Sequence, residues 1–162
     1  MARMTVGAGM DKYIQQLTNL EFKSPHIAGK AVYEGAKIVA DAIKAEIESL
    51  PVEESRHHDE DDKTNGVTRA QKDGLRDGFG IATMRQEGSF YNVKAGFHGY
   101  NSVKTEKYPG GQPNAMIARS VESGTSFRKK NSFVARAVRK SRNAAEQKMA
   151  QVVNEETAKL MK

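Results

Sequence analysis

Apolar positions fall into helical steps at the two ends of the chain and into alternation in its middle. Ile27, Ala31, Ile38, Ala42, Ile43, Ile47 and Leu50 recur at three- and four-residue steps, and Val32 and Val39 widen the stripe. Lys30, Lys37, Lys44 and Glu48 fall outside it, the pattern of an amphipathic helix with one face on a core. Ser24 as N-cap and Pro25 at the first helical position predict where this helix opens. Pro51 predicts where it stops, because a proline pushes the residue before it, Leu50, out of helical geometry. A shorter amphipathic piece around Tyr13, Ile14, Leu17 and Leu20 is expected before it. A second long helix is expected from Ser132 to near Leu160, with Phe133, Val134, Ala137, Val138, Ala144, Ala145, Met149, Val152 and Val153 on one stripe.

Between these helices the period changes. Thr68 is placed to cap a short helix ending near Arg76, and Gly74, Gly78 and Gly80 break the pattern before Ile81. Two strands are expected over residues 79–85 and 90–97, joined across Gln86-Glu87-Gly88-Ser89 as a hairpin. Alternation puts Phe90, Asn92 and Lys94 on one face and Tyr91, Val93, Ala95 and Phe97 on the other, so one face has a helix or a sheet to cover. A short helix is expected from Asn114, as N-cap, through Met116, Ile117, Ala118 and Val121, with Gly124 in the left-handed position that ends it. Residues 51–67 and 98–113 read as flexible loops. The first is acidic with almost no apolar content; the second is rich in glycine and proline and longer than an ordinary connection. The fold class expected is α+β: a small, mainly antiparallel sheet with a β-hairpin core, packed by a long N-terminal and a long C-terminal helix.

Length supports that picture: 162 residues fit a single domain, 1–162. Only 38% of residues are apolar, 28% are charged and the mean hydropathy is −0.68, the profile of a thin-cored chain that completes its burial in an oligomer or carries a large wet surface. Cysteine is absent, which removes disulfides and thiolate metal sites and suits a reducing cytoplasm. No apolar run approaches the roughly 20 residues that span a bilayer, and no membrane partner is expected. The net charge of +6 is uneven: zero over residues 1–50, −4 over 51–67, +3 over 68–113 and +7 over 114–162. A basic C-terminal segment suits nucleic acid, an acidic partner surface or merely a solvated helix face.

Catalytic constellations are missing. The glycines at 74, 78 and 80 precede a strand and do not bridge strand to helix, so they are not a dinucleotide fingerprint. Ser123-Gly124-Thr125-Ser126 lacks nucleophile-elbow spacing, and His26 and His98 have no carboxylate orienter nearby in sequence. His57-His58-Asp59-Glu60-Asp61-Asp62 contains metal-binding side chains, but neighbours in one polar loop offer neither spaced ligands nor a supporting shell. No catalytic residue, metal or cofactor is expected, and the chain does not read as an enzyme.

Three local patterns, in this order of elements, carry a resemblance. They are Gly74-Leu75-Arg76-Asp77 leading into Phe79-Gly80-Ile81; Val121-Glu122-Ser123-Gly124-Thr125-Ser126; and Asn131-Ser132-Phe133-Val134-Ala135-Arg136-Ala137. Together they resemble the tail-completion (head–tail joining) protein family of long-tailed bacteriophages. The likeness runs over roughly residues 10–155, through its glycine–leucine–arginine segment, its glutamate-x-glycine-threonine-serine signature and its phenylalanine-x-x-x-alanine start of the last helix. Ser132 stands where the family commonly has proline. After Pro51-Val52 an acidic insertion replaces the family's proline–valine–aspartate–threonine–glycine run.

The resemblance implies a structural virion protein of the phage neck. It would form a homo-oligomeric, hexameric ring at the top of the tail and perform no chemistry. Its partners would be a tail terminator or tail tube protein on one side and a head-closure or connector protein on the other. DNA would pass through the lumen without sequence-specific binding. The protein would be made in the host cytoplasm and end in the virion neck or tail. A tail terminator or head-closure ring is the neighbouring alternative. A nucleic-acid-binding module using the basic C-terminal helix is the alternative from another class. Gly124 would turn the chain sharply and present Thr125, Ser126, Arg128, Lys129 and Lys130 on a loop, where contacts concentrate. Arg119 and Glu122 offer a salt-bridge-capable pair beside it. These eight residues are the candidate interface, and the acidic 51–67 segment is a charge-complementary surface for it.

Overall fold

Helix α1 runs unbroken over Ala8–Glu48 in the computed structural model, which describes residues 8–54, 63–88 and 90–161. One helix therefore replaces the two expected from the sequence: Ser24 does not cap it, and Pro25 lies inside it. Pro25 lacks the N–H that would bond the Glu21 carbonyl one turn back. The Ser24 hydroxyl donates to that same carbonyl at 2.9 Å, so the acceptor that proline leaves open is satisfied and the helix carries on. At its other end α1 stops as expected, with Leu50 N–H bonded to the Ile47 carbonyl just before Pro51.

Helix α2 (Arg69–Gly78) opens on the expected Thr68, in a reciprocal capping box with Gln71. The hairpin follows, in two short ladders. Strand β1 (Phe79–Ile81) pairs antiparallel with β4 (Ala95–Phe97), and β2 (Arg85–Glu87) pairs antiparallel with β3 (Phe90–Asn92). Phe79 opposes Phe97 while Arg85 opposes Asn92, so residues 82–84 face only residues 93–94: one extra residue bulges the first strand. The apolar face of the inner ladder, Phe79 with Ile81 and Phe97, meets the core; the outer ladder lies beside α1, with Tyr91 near Gly29, and turns Phe90, 78% exposed, to solvent. Residues 98–113 are tied down by Asn101 N–H to the Gln112 carbonyl, Gln112 N–H to the Val103 carbonyl and a Thr105–Tyr108 turn.

Helix α3 spans Asn114–Ser123 and α4 spans Phe133–Leu160. Asn114 is not the N-cap of α3. It is buried as the first helical residue, and its amide donates to the His98 carbonyl, so it fastens the preceding loop instead. The stripe of α4 also differs from expectation. Ser141 joins Phe133, Ala137, Ala145 and Val152 on the buried face, its hydroxyl satisfied by the Ala137 carbonyl, while Val138, Ala144 and Val153 face solvent. The core sits where Ile43, Ile47 and Leu50 of α1 meet Leu75, Phe79, Ile117, Val121, Phe133 and Ala137. The architecture is α+β, a small antiparallel hairpin region packed by a long N-terminal and a long C-terminal helix.

Helices α1 and α4 lie antiparallel, clasped at two places. Glu46 accepts from Arg136 at 2.7 Å and from Lys140 at 2.8 Å, and Glu156 accepts from Lys30 at 2.6 Å and from Lys159 at 2.8 Å. Hydrogen bonds from Lys140 and Arg136 lower the Glu46 pKa, and those from Lys159 and Lys30 bring Glu156 from 4.5 to about 2. Carboxylates held low by folding contribute stability that is present above their unfolded pKa and lost as pH falls through the folded one. Melting temperature is therefore expected to fall as pH drops from 4.5 towards 2. A Glu46→Gln, Glu156→Gln variant should show a shallower fall over that window, and an unchanged slope would refute the assignment.

Candidate functional site: the turn between the third and fourth helices

Gly124 ends α3 at φ 75°, ψ 168°, its N–H bonded to the Ser120 carbonyl. The positive φ is the one expected, but ψ is extended, so the chain leaves the helix outward and does not curl into a left-handed cap. A Cβ here would press on the Lys130 backbone at 3.1–3.2 Å, a second demand for glycine. Thr125 N–H donates to the Arg128 carbonyl and closes a tight turn. Asn131 N–H returns to the Val121 carbonyl, so the loop starts and ends against α3.

Glu122 does not pair with Arg119. Its two carboxylate oxygens accept from the N–H groups of Val134 and Ala135, at 2.9 and 3.1 Å. Those are two of the amides that the start of α4 leaves without helical partners, and a carboxylate there also meets the positive end of the helix. Ser132, although it is the N-cap residue, makes no side-chain cap bond; the cap comes from α3 instead. Such a cap contributes about 1 kcal/mol, more than an exposed Arg–Glu pair typically does. Arg119 stands exposed.

The three basic residues of the loop separate in the structure. Arg128 is 7% exposed, turned inward, with its Nη2 donating to Gln71 Oε1 at 3.1 Å. Its Nε and Nη1 are buried with no hydrogen-bond partner among the described residues. Burial pushes its guanidinium below the ordinary arginine range, with the Glu53 carboxylate acting in the opposite sense. Gln71 thereby joins three segments: it closes the α2 capping box, receives Arg128 and donates to Gln112 Oε1 of the 98–113 loop at 2.8 Å. Lys129 and Lys130 stay exposed, with Ser126 beside them, and the Thr125 hydroxyl is buried without a partner. Lys63, Ser123, Gly124, Thr125, Arg128, Lys129 and Lys130 line a shallow basic hollow of about 470 Å³.

Of the eight candidate residues, Arg119, Ser126, Lys129 and Lys130 are exposed, while Gly124, Glu122, Thr125 and Arg128 build the turn beneath them. Two further residues that sequence reasoning did not single out stand beside them. Phe127 is 58% exposed between Ser126 and Arg128, and Lys63 is brought in by a parallel bridge between Thr64 and Arg128. An aromatic inside a basic loop was a visible signal for the first; nothing in the local sequence marked the second. The histidine–acid run, residues 57–62, lies outside the described residues. Among the described residues no group of three His, Asp or Glu side chains is placed to hold a metal, and no helix is long and apolar enough to cross a membrane. No protein-family model, curated protein or solved structure matches the chain.

Proposed function

We propose that the protein is a structural component of a long-tailed phage neck, in the tail-completion role, forming a ring that joins tail to head connector without catalysis. The observation that carries this reading is the way two of the resembling patterns interlock. Glu122 of the second caps the helix that the third begins, Phe133 of the third is wholly buried, and Leu75 of the first shares its core. The patterns are thus parts of one folding unit, as a family signature would be. Large exposed apolar side chains at Phe22, Phe90, Tyr100 and Phe127 also suit a chain that completes its surface in an assembly.

The rival reading, nucleic-acid binding by α4, has less charge to draw on than the sequence suggests. Arg136 and Lys140 are taken up by Glu46, and Arg142 by Glu146. Labelling the protein in intact particles and imaging the neck tests the proposal. Density or label at the head–tail junction is expected, together with a drop in infectious yield when Lys129 and Lys130 are both changed to glutamate. A protein absent from particles would overturn the reading.

A further inference from the structure

The turn that carries Lys129 and Lys130 holds like charges together. Thr64 N–H donates to the Phe127 carbonyl at 3.0 Å and Lys129 N–H to the Thr64 carbonyl at 2.9 Å, which fixes Lys63 beside the loop. Thr125 N–H, bonded to the Arg128 carbonyl, closes the turn from within. Backbone bonds thus bring the cations Lys63, Arg128, Lys129 and Lys130 to the walls of one hollow of about 470 Å³. The three lysines are exposed, and among the described residues none of them has an ion-pair partner. Four like charges around one hollow repel one another, and a negative ligand would relieve that repulsion.

Arg128 supplies a second observation. It is 7% exposed, yet only its Nη2 has a partner, the neutral Gln71 Oε1, while Nε and Nη1 are buried and unbonded among the described residues. The Thr125 hydroxyl, which lines the same hollow, is buried and unbonded too. The Glu53 carboxylate attracts Arg128, but it is already held by the N–H groups of Asn65 and Gly66, at 2.8 and 3.2 Å. One neutral hydrogen bond does not offset the desolvation of a guanidinium, and buried cations are normally paired with an anion. A charge in this low-dielectric position is also screened less by salt than that of a surface lysine. Arg128 therefore acts on the hollow from beneath, and the lysines are the groups that a ligand can touch.

We propose that this hollow binds clustered carboxylates presented by an acidic segment of a partner protein. Lys63, Lys129 and Lys130 contact the carboxylates, and Arg128 is a positioning charge behind them. The cations converge on one place and do not continue as a track. Three of the next four along α4, Arg136, Lys140 and Arg142, are taken up by Glu46 and Glu146. A nucleic-acid backbone crossing the turn would find one foothold and no path, whereas a short acidic segment needs only the one. The proposal deepens the neck reading by naming the chemistry of a partner, and rests on it only in requiring that the partner is a protein.

The probe is a fluorescent hexaglutamate peptide, titrated with the full chain and read by anisotropy. Binding that weakens with added salt is expected, and a Lys129→Gln, Lys130→Gln variant should lose at least about tenfold in affinity. A Lys44→Gln, Arg139→Gln variant removes the same charge elsewhere on the surface and should bind as the parent does. Arg128→Met should weaken binding several-fold, yet melt no lower than the parent without peptide, since Gln71 Oε1 keeps the Thr68 N–H when the guanidinium is gone. An arginine with a merely structural role gives the reverse, a lower melting temperature and unchanged affinity, and that result would overturn the proposal. So would a parent chain that does not bind, equal losses in the two double variants, or tighter binding of duplex DNA than of the peptide. Binding that appears only once Asp59, Glu60, Asp61 and Asp62 are neutralised would assign the hollow to the chain's own acidic run and overturn it as well. Location in the virion is a separate measurement, so this site can fail while the neck reading stands.

Discussion

Replacing Phe133 by alanine is expected to cost about 4 kcal/mol of folding stability. The ring is 0% exposed at the first residue of α4 and stands edge-on to Phe97 at 6.1 Å, which in turn meets Phe79 at 5.1 Å. Those three rings tie α4, β4 and β1 together, so removing the Phe133 side chain loses the transferred surface and leaves a cavity bordered by the hairpin. Against a total of about 5–15 kcal/mol for a domain, that loss brings the chain close to unfolding at room temperature. Urea titration checks it. A midpoint shift worth less than about 1 kcal/mol would mean that the neighbouring rings collapse into the space, and that the motif phenylalanine is not the anchor described.

Gly78→Ala is expected to be nearly as damaging, about 3 kcal/mol, by overpacking. A Cβ at this position would overlap the His98 carbonyl oxygen and come to 2.5 Å from Asn114 Nδ2. Neither neighbour can retreat cheaply. The His98 carbonyl accepts the Asn114 amide at 2.9 Å, and His98 N–H donates to the Gly78 carbonyl at 2.8 Å, so the loop is bonded to the place the methyl would need. Thermal melts should show the loss, with Gly80→Ala as the control two residues away, where a Cβ meets open space. Equal melting temperatures for the two variants would refute the close approach.

Much of the fold was legible because its signals are local. The Thr68 cap, the Gly124 stop, the Pro51 stop and the core stripe from Ile27 to Leu50 each depend on residues within a turn or two. The features that escaped depend on partners far along the chain. Ser24-Pro25 reads as a helix start, and only the reach of one hydroxyl to a carbonyl three residues back lets the helix continue. Glu122 looks like half of a surface pair with Arg119, three residues away, but its amide partners lie 12 and 13 residues on. Arg128 cannot be told from Lys129 and Lys130 by charge; its burial follows from Gln71, 57 residues earlier. The bulge at residues 82–84 leaves the alternation of each strand intact and shifts only their mutual register, so no reading of a single strand reveals it. The candidate turn was therefore located from sequence, while its division into surface and foundation was not.

The notch at Ser24 and Pro25 has a mechanical consequence. A helix resists bending through its ladder of axial hydrogen bonds, and at this rung a backbone bond is replaced by one from a side chain. The rod is therefore expected to bend most easily there, between about 25 Å of helix that precedes the notch, held to the end of α4 by the Gln16–Met161 hydrogen bond, and the stretch packed in the core. A small bend at this one turn is carried over the whole stretch of helix that precedes it, so its far end is displaced most.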